Sequence, residues 1–225
     1  MSMDDTLELA SEEATHGHGG WIPAVVSGLA LIGSLYSMWE TTLKQPRINF
    51  YVSENIQYTR DPYAHELGTP YDVLAVPITI VNGGARDGAV LSLQMTVKNL
   101  TTGRTEKFRS AYMADAQYFG GRDDISLRVK RPKIPFAPLS VAGRSAFTGT
   151  MLFYRSEGDE KNLIEASSQL EMTFSLVTIP ADNEFDRLLT ELPRPILVRA
   201  EVPNFYPGAL LSGDNVALKV TSGAL

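Results

Sequence analysis

VLAVPITIVNGGARDGAVLSLQMTVKN, residues 73–99, is the stretch on which the fold turns. Two runs rich in Val, Ile, Leu and Thr, 73–82 and 89–99, are separated by GGARDG, a polar turn with glycine at 83, 84 and 88. Successive side chains of a strand point to opposite faces, so a half-buried strand shows a period of two. The second run has it: Leu91, Leu93, Met95 and Val97 alternate with Val90, Ser92, Gln94, Thr96 and Lys98. Both runs therefore read as β-strands, the second with Leu91, Leu93, Met95 and Val97 on its buried face. The glycines do not form a phosphate loop, because no Lys-Ser/Thr follows and no helix begins there.

The same pattern extends in both directions. Downstream, NLTTG (99–103) makes a turn and RTEKFRSAYMA (104–114) continues as a strand. SAFTGTMLFY (145–154) places Phe147, Gly149, Met151 and Phe153 on one side, and SSQLEMTFSLVTI (167–179) alternates Leu170, Met172, Phe174 and Leu176 with polar neighbours. ILVRAEV (196–202) and NVALKV (215–220) read as two last strands. Between them, SEGDEKNLIEAS (156–167) reads as a surface connection, and DNEFDRLLTEL (182–192) as a short amphipathic helix with Phe185, Leu188, Leu189 and Leu192 on one face. Upstream, RINFYV (47–52) turns Ile48, Phe50 and Val52 to one side, and YTRDPYAHELGTPYD (58–72) has loop character. Many short strands at this spacing, with Gly/Pro turns and almost no helix, predict an all-β domain over 46–225, an antiparallel immunoglobulin-like β-sandwich.

Ahead of that domain lies WIPAVVSGLALIGSLYSMW, residues 21–39, without one charged side chain. As a helix it is about 30 Å long, the thickness of a bilayer's hydrocarbon core, so 21–41 reads as a transmembrane helix. Trp21, Tyr36 and Trp39 mark the interfacial levels, joined on the C-terminal side by Lys44 and Arg47. Pro23 sits in the first turn, where its missing N–H is harmless. A cleaved signal peptide is not expected, since residues 1–20 lack Lys and Arg and no small-x-small site follows. Ser27, Ala30, Ser34 and Ser37 line one stripe, and Ala24/Gly28 and Gly33/Ser37 have small-xxx-small spacing. Such a stripe admits close approach of another helix, although small residues are also common in membrane helices generally.

The flanks bear on topology. Lys44 and Arg47 follow the helix while nothing basic precedes it, so the positive-inside rule places the β-domain in the cytoplasm. Against this stands the habit of many single-pass proteins of holding a β-sandwich outside the cell. The preceding residues, 1–20, form an acidic tail ending in a Gly-rich hinge; Asp4, Asp5, Glu8, Glu12 and Glu13 supply most of the net charge of -6. His16 and His18 there have the H-x-H spacing of a metal pair, and a His beside a bilayer can ligate a chlorophyll magnesium, but in such a tail both read as solvated. No cofactor is expected.

Chemistry-bearing motifs are scarce. The chain has no Cys, which excludes disulfides, thiolate metal sites and a Cys nucleophile. G-x-S-x-G, H-E-x-x-H, P-loop and EF-hand spacings are missing, and Asp123/Asp124 and Asp182/Glu184/Asp186 match no calcium loop. An acidic chain without a basic tract does not read as a nucleic-acid binder. Arg128, Lys130, Arg131 and Lys133 form one basic cluster, readable as a patch for anionic lipid or an acidic partner, or as a charged edge strand that resists edge-to-edge pairing. Asn99-Leu100-Thr101 fits a glycosylation acceptor, a match that the topology argues against.

The W...S.L...S..S.W helix, the PRINFYV strand and the VPITIVNGG strand and turn resemble those of uncharacterised bacterial single-pass membrane proteins in which one N-terminal helix leads into an immunoglobulin-like sandwich. The resemblance implies an inner-membrane location and no catalytic residues. The expected function is a non-catalytic accessory subunit that packs among other integral subunits of a respiratory, photosynthetic or transport complex. One alternative is a tethered recognition module for a soluble protein, a glycan or the envelope. A hydrolase would need a polar site in loops 59–70 and 113–124, with His65 or Asp123/Asp124.

Overall fold

The computed structural model describes residues 21–61, 71–114, 133–156, 162–179, 193–206, 208, 210 and 215–223. The acidic tail with His16 and His18, His65, Asp123, Asp124, Arg128, Lys130, Arg131 and the helix expected over 182–192 lie outside the described residues. The chain divides into two compact units, Met1–Thr41 and Thr42–Leu225. In the first, α1 spans Trp21–Met38, and a π-helical segment, Trp39–Leu43, follows it.

In the second unit twelve antiparallel strands are described: β1 (Ile48–Val52), β2 (Gln57–Asp61), β3 (Tyr71–Asn82), β4 (Gly88–Asn99), β5 (Thr105–Ala114), β6 (Lys133–Pro135), β7 (Leu139–Val141), β8 (Ala146–Arg155), β9 (Gln169–Thr178), β10 (Ile196–Glu201), β11 (Val216–Ala217) and β12 (Lys219–Ser222). They form one sheet in the order β11-β2-β3-β8-β5-β4-β9-β10-β12, with β1 on β3, β6 on β5 and β7 on β4. The expected antiparallel β-domain behind an apolar helix is present. Its hydrogen bonding is that of a single, nearly barrel-shaped sheet, in which the ladders draw no boundary between two sheets.

Closure comes from the C-terminal segment. The sequence reads 215–220 as one strand; instead Val216–Ala217 pairs with β2 and Lys219–Ser222 with β10, so the two ends of the strand path are consecutive pieces of one chain segment. Between them the Leu218 N–H donates to the Ile56 carbonyl at 2.8 Å. Val216–Ala217 thereby covers part of the open edge of β2, and Lys219–Ser222 that of β10, which reduces the unpaired backbone that makes sheet edges prone to association.

Two clusters of buried apolar residues are described, a small one of Val73, Ala75, Leu152 and Tyr154 and a large one that forms the main core. It takes Ile48, Phe50 and Val52 from β1, Leu74, Val76, Ile78 and Ile80 from β3, Met151 and Phe153 from β8, and Leu170, Met172, Phe174 and Leu176 from β9, as the alternation predicts. Two readings change. In β4 the buried set is Val90, Leu93, Met95 and Val97, while Leu91 is exposed, because a bulge between Val90 and Ser92 reverses the alternation. The connection read as surface sends Leu163 and Ile164 into the core. Pro77 sits mid-strand without penalty: its carbonyl accepts from Ser53 N–H at 3.0 Å, so its missing N–H faces the gap between β1 and β2, where no donor is needed.

The strands flanking GGARDG do not pair with each other; β8 and β5 stand between them in the sheet. What holds this turn is the amide of Asn82, wholly buried at 0 % exposure. Its Nδ2 donates to the Arg86 and Val141 carbonyls at 2.8 and 3.0 Å, and its Oδ1 accepts from the N–H groups of Arg47 and Gly84 at 3.2 and 2.9 Å. The Lys44 carbonyl accepts from Ala85 and Arg86 N–H, and that of Arg47 from Gly83 N–H. Gly84 is needed because a Cβ there would run into the Gln45 carbonyl. Replacing Asn82 by Ala leaves several buried backbone groups unpaired, each costing about 1–3 kcal/mol. Thermal or urea unfolding of N82A is expected to show a loss of about 3 kcal/mol or more.

Candidate functional site

Two features of the described residues stand out: the surface of α1 and a buried ionic cluster within the β-domain. On α1 no residue is buried, and Val25, Leu29, Ile32 and Leu35 are each about half exposed or more. Gly28 and Gly33 have nothing within 4 Å of where a Cβ would be, so neither is required by packing within the chain. The Ser34 hydroxyl donates to the Ala30 carbonyl at 2.8 Å, and that of Thr41 to the Ser37 carbonyl at 2.7 Å. These hydroxyls are satisfied by the helix itself, so these polar positions are compatible with apolar surroundings. Ala24, Ser27, Gly28, Ala30, Gly33, Ser34 and Ser37 are thus exposed or half-exposed positions of one helix, and Trp21, Tyr36 and Trp39 are exposed at its ends.

The ionic cluster joins β2, β3, β5 and β8. Asp72, 3 % exposed, accepts from the Tyr58 hydroxyl at 2.7 Å and from Leu163 N–H at 3.2 Å. Arg60 Nε lies 3.0 Å from the Tyr58 oxygen and 3.6 Å from Asp72, and an Arg155 guanidinium nitrogen lies 3.7 Å from the other Asp72 oxygen. Arg155 Nε also approaches Glu106 Oε2 at 2.7 Å without hydrogen-bond alignment, while Arg104 pairs with Oε1 at 2.8 Å. Burial, reinforced by the charge of Asp72, pushes the Tyr58 phenol pKa far above its ordinary value. Burial likewise raises that of Glu106, and Arg155 and Arg104 offset this only in part.

Chemically this cluster is a lock. Both oxygens of Asp72 are occupied, and Tyr58 and Asp72 are sealed from solvent, so the charges tie strands together and offer no open face to a substrate. The sequence reading of 58–72 as loop missed it, since Tyr58, Thr59 and Arg60 are buried strand residues of β2. Polar side chains side by side look solvated in a sequence; here they pair with one another and with groups distant in the chain.

Of the remaining predicted residues, Lys133 donates from Nζ to the Tyr154 hydroxyl at 2.8 Å and lies over the Tyr112 ring at 4.4 Å. Lys44 and Arg47 belong to the strap that Asn82 holds. Asn99 is fully buried and donates its amide nitrogen to the Leu163 carbonyl at 2.8 Å, which leaves no room for a glycan in the folded domain. Among the described residues no three His, Cys, Asp or Glu side chains gather as metal ligands would. No protein-family model matches the chain, and no curated protein matches it.

Removing one partner of a buried ion pair strands the other, so D72N is expected to lose about 3–5 kcal/mol in chemical unfolding. R199A, which breaks the exposed pair with Glu171, is expected to lose less than about 1 kcal/mol. Because the folded pKa of Glu106 lies above its ordinary 4.5, its ionised form counts against the folded state at neutral pH, and that penalty vanishes as pH falls through the folded pKa. Unfolding free energies measured from neutral pH down to about 4.5 should therefore shift in favour of the unmodified chain relative to E106Q.

Proposed function

We propose that this protein is a non-catalytic, single-pass accessory subunit of a larger membrane assembly of respiratory, photosynthetic or transport type. On this reading α1 crosses the bilayer and packs among the helices of other integral subunits, and the antiparallel β-domain braces the parts outside the membrane. The observation that carries it is an uncharged helix with none of its residues buried within the chain. A core helix of a soluble protein would be mostly covered, and an exposed apolar helix in water would aggregate. Lipid or neighbouring helices are the surroundings in which such a surface is at rest. The candidate span Trp21–Leu43 is long enough to cross a hydrocarbon core.

The hydroxyl pattern supports close packing. Ser34 is turned inward onto its own backbone, so its site presents a small, satisfied surface where another helix can approach. The placement of Lys44 and Arg47 after the span supports a cytoplasmic β-domain at a bacterial inner membrane.

Gentle detergent extraction followed by size analysis tests this reading: an assembly larger than the monomer is expected, and a lone monomer at every detergent strength would overturn it. Leu at both Gly33 and Ser34 should weaken association by about tenfold while insertion and the folding of the β-domain survive.

A further inference from the structure

We infer that the outer face of β4 and β5, where Lys98, Lys107 and Arg109 stand together, is a docking surface for an extended acidic peptide segment of a partner protein. The surface lies wholly within the β-domain and goes beyond the reading of α1 as a membrane span, so it stands or falls separately from that reading. The sequence does not display it, since Lys98 belongs to one strand and Lys107 and Arg109 to the next.

Met95 and Val97 of β4 and Phe108 of β5 belong to the core, so the pleat turns Gln94, Thr96 and Lys98, and with them Thr105, Lys107 and Arg109, to the other face. The register sets Lys98 opposite Thr105, Thr96 opposite Lys107 and Gln94 opposite Arg109. No cation therefore faces another directly. Lys98 and Lys107 are diagonal neighbours, and Lys107 and Arg109 are alternate residues of one strand, each step being about 7 Å. All three side chains are exposed, and none enters an ion pair, a side-chain hydrogen bond or a ring contact among the described residues. Glu171 of β9 lies directly opposite Lys98, yet Arg199 holds its carboxylate from two nitrogens, at 2.9 and 2.8 Å. The next positions across on β9, Thr173 and Ser175, are uncharged.

Edge protection does not explain these charges, because β4 is paired with both β5 and β9, and β5 with both β4 and β8. Composition does not explain them either, since the chain carries 26 acidic against 20 basic residues and a net charge of -6. Like charges about 7 Å apart repel, so the cluster costs the free domain stability that an anionic occupant restores. Spacing identifies the occupant. Alternate side chains of an extended peptide lie on one side about 7 Å apart, the interval between Lys107 and Arg109, so an acid at every second residue meets the cations in turn. The Thr96, Thr105 and Gln94 side chains between the cations supply hydrogen-bonding groups to the peptide. Single-stranded nucleic acid is the poorer fit, for no aromatic ring stands among these positions to stack a base.

The test uses the full chain in detergent micelles and a fluorescent peptide of about ten residues in which Glu and Ser alternate, with binding read by anisotropy. Saturable binding at low salt is expected, falling steeply as salt rises. K107E/R109E should weaken it by about tenfold or more, whereas R86E/R194E, which reverses two exposed arginines outside β4 and β5, should leave it within about twofold. Because Lys107 and Arg109 are exposed and make no side-chain contact of their own, K107E/R109E should keep the melting temperature of the unmodified chain, which separates lost binding from lost folding. Equal weakening by the two double variants, or no weakening by K107E/R109E, overturns the docking surface. Oligothymidylate binding more tightly than the peptide, and losing that binding in K107E/R109E, overturns the peptide as its occupant. None of these outcomes bears on the detergent-extraction test of the membrane assembly.

Discussion

The side-chain amide of Asn82 is the interaction on which the order of the β-domain depends. It has two donors and two acceptor sites, and all are used, on backbone groups of Arg47, Gly84, Arg86 and Val141. Those groups belong to the strap, the turn after β3 and the strand β7, none of which pairs with β3 in the stretch that carries Asn82. A buried amide satisfied on every side positions its partners far more sharply than apolar packing, because each unmade bond costs about 1–3 kcal/mol. The chain can therefore leave β3, cross to β4 beyond two intervening strands, and still enter β4 in register.

At the opposite end of the same strand, Asp72 plays the matching part with charge in place of amide. β3 is thus fastened at both ends by one buried polar side chain, and between them runs the apolar series Leu74, Val76, Ile78 and Ile80. The two fasteners differ in what they admit. The amide knot is neutral and holds backbone, whereas the ionic cluster gathers three arginines against two acids and leaves Glu106 Oε2 without an aligned donor. A group of this kind makes the stability of the domain depend on pH.

The groups that stabilise the β-domain and the apolar surface of α1 are separate features. The polar groups that tie the β-domain together are buried, while the apolar helix α1 has no buried residue. The knot around Asn82 holds the strap next to the turn that carries Arg86.

How much of this was legible beforehand follows from which forces are local. The apolar helix, the β character of the chain and the buried faces of β1, β8 and β9 were readable because burial imprints a period on nearby residues, and a period survives in a sequence. The knot and the ionic cluster were not readable. Asn82 stood only as the last residue of the strand run 73–82, and 58–60 looked like loop. Even the phase of β4 was misread at Leu91, since a one-residue bulge is set by the partner strand β9. The sequence alone determined the apolar helix and most of the long strands; only the tertiary structure decided that 57–61 is a strand, which strands pair, how the C-terminal segment closes the sheet and which polar groups meet. Hydrophobic patterning is a property of neighbours in the chain, whereas hydrogen bonds and ion pairs between distant segments exist only once the fold has brought their partners together.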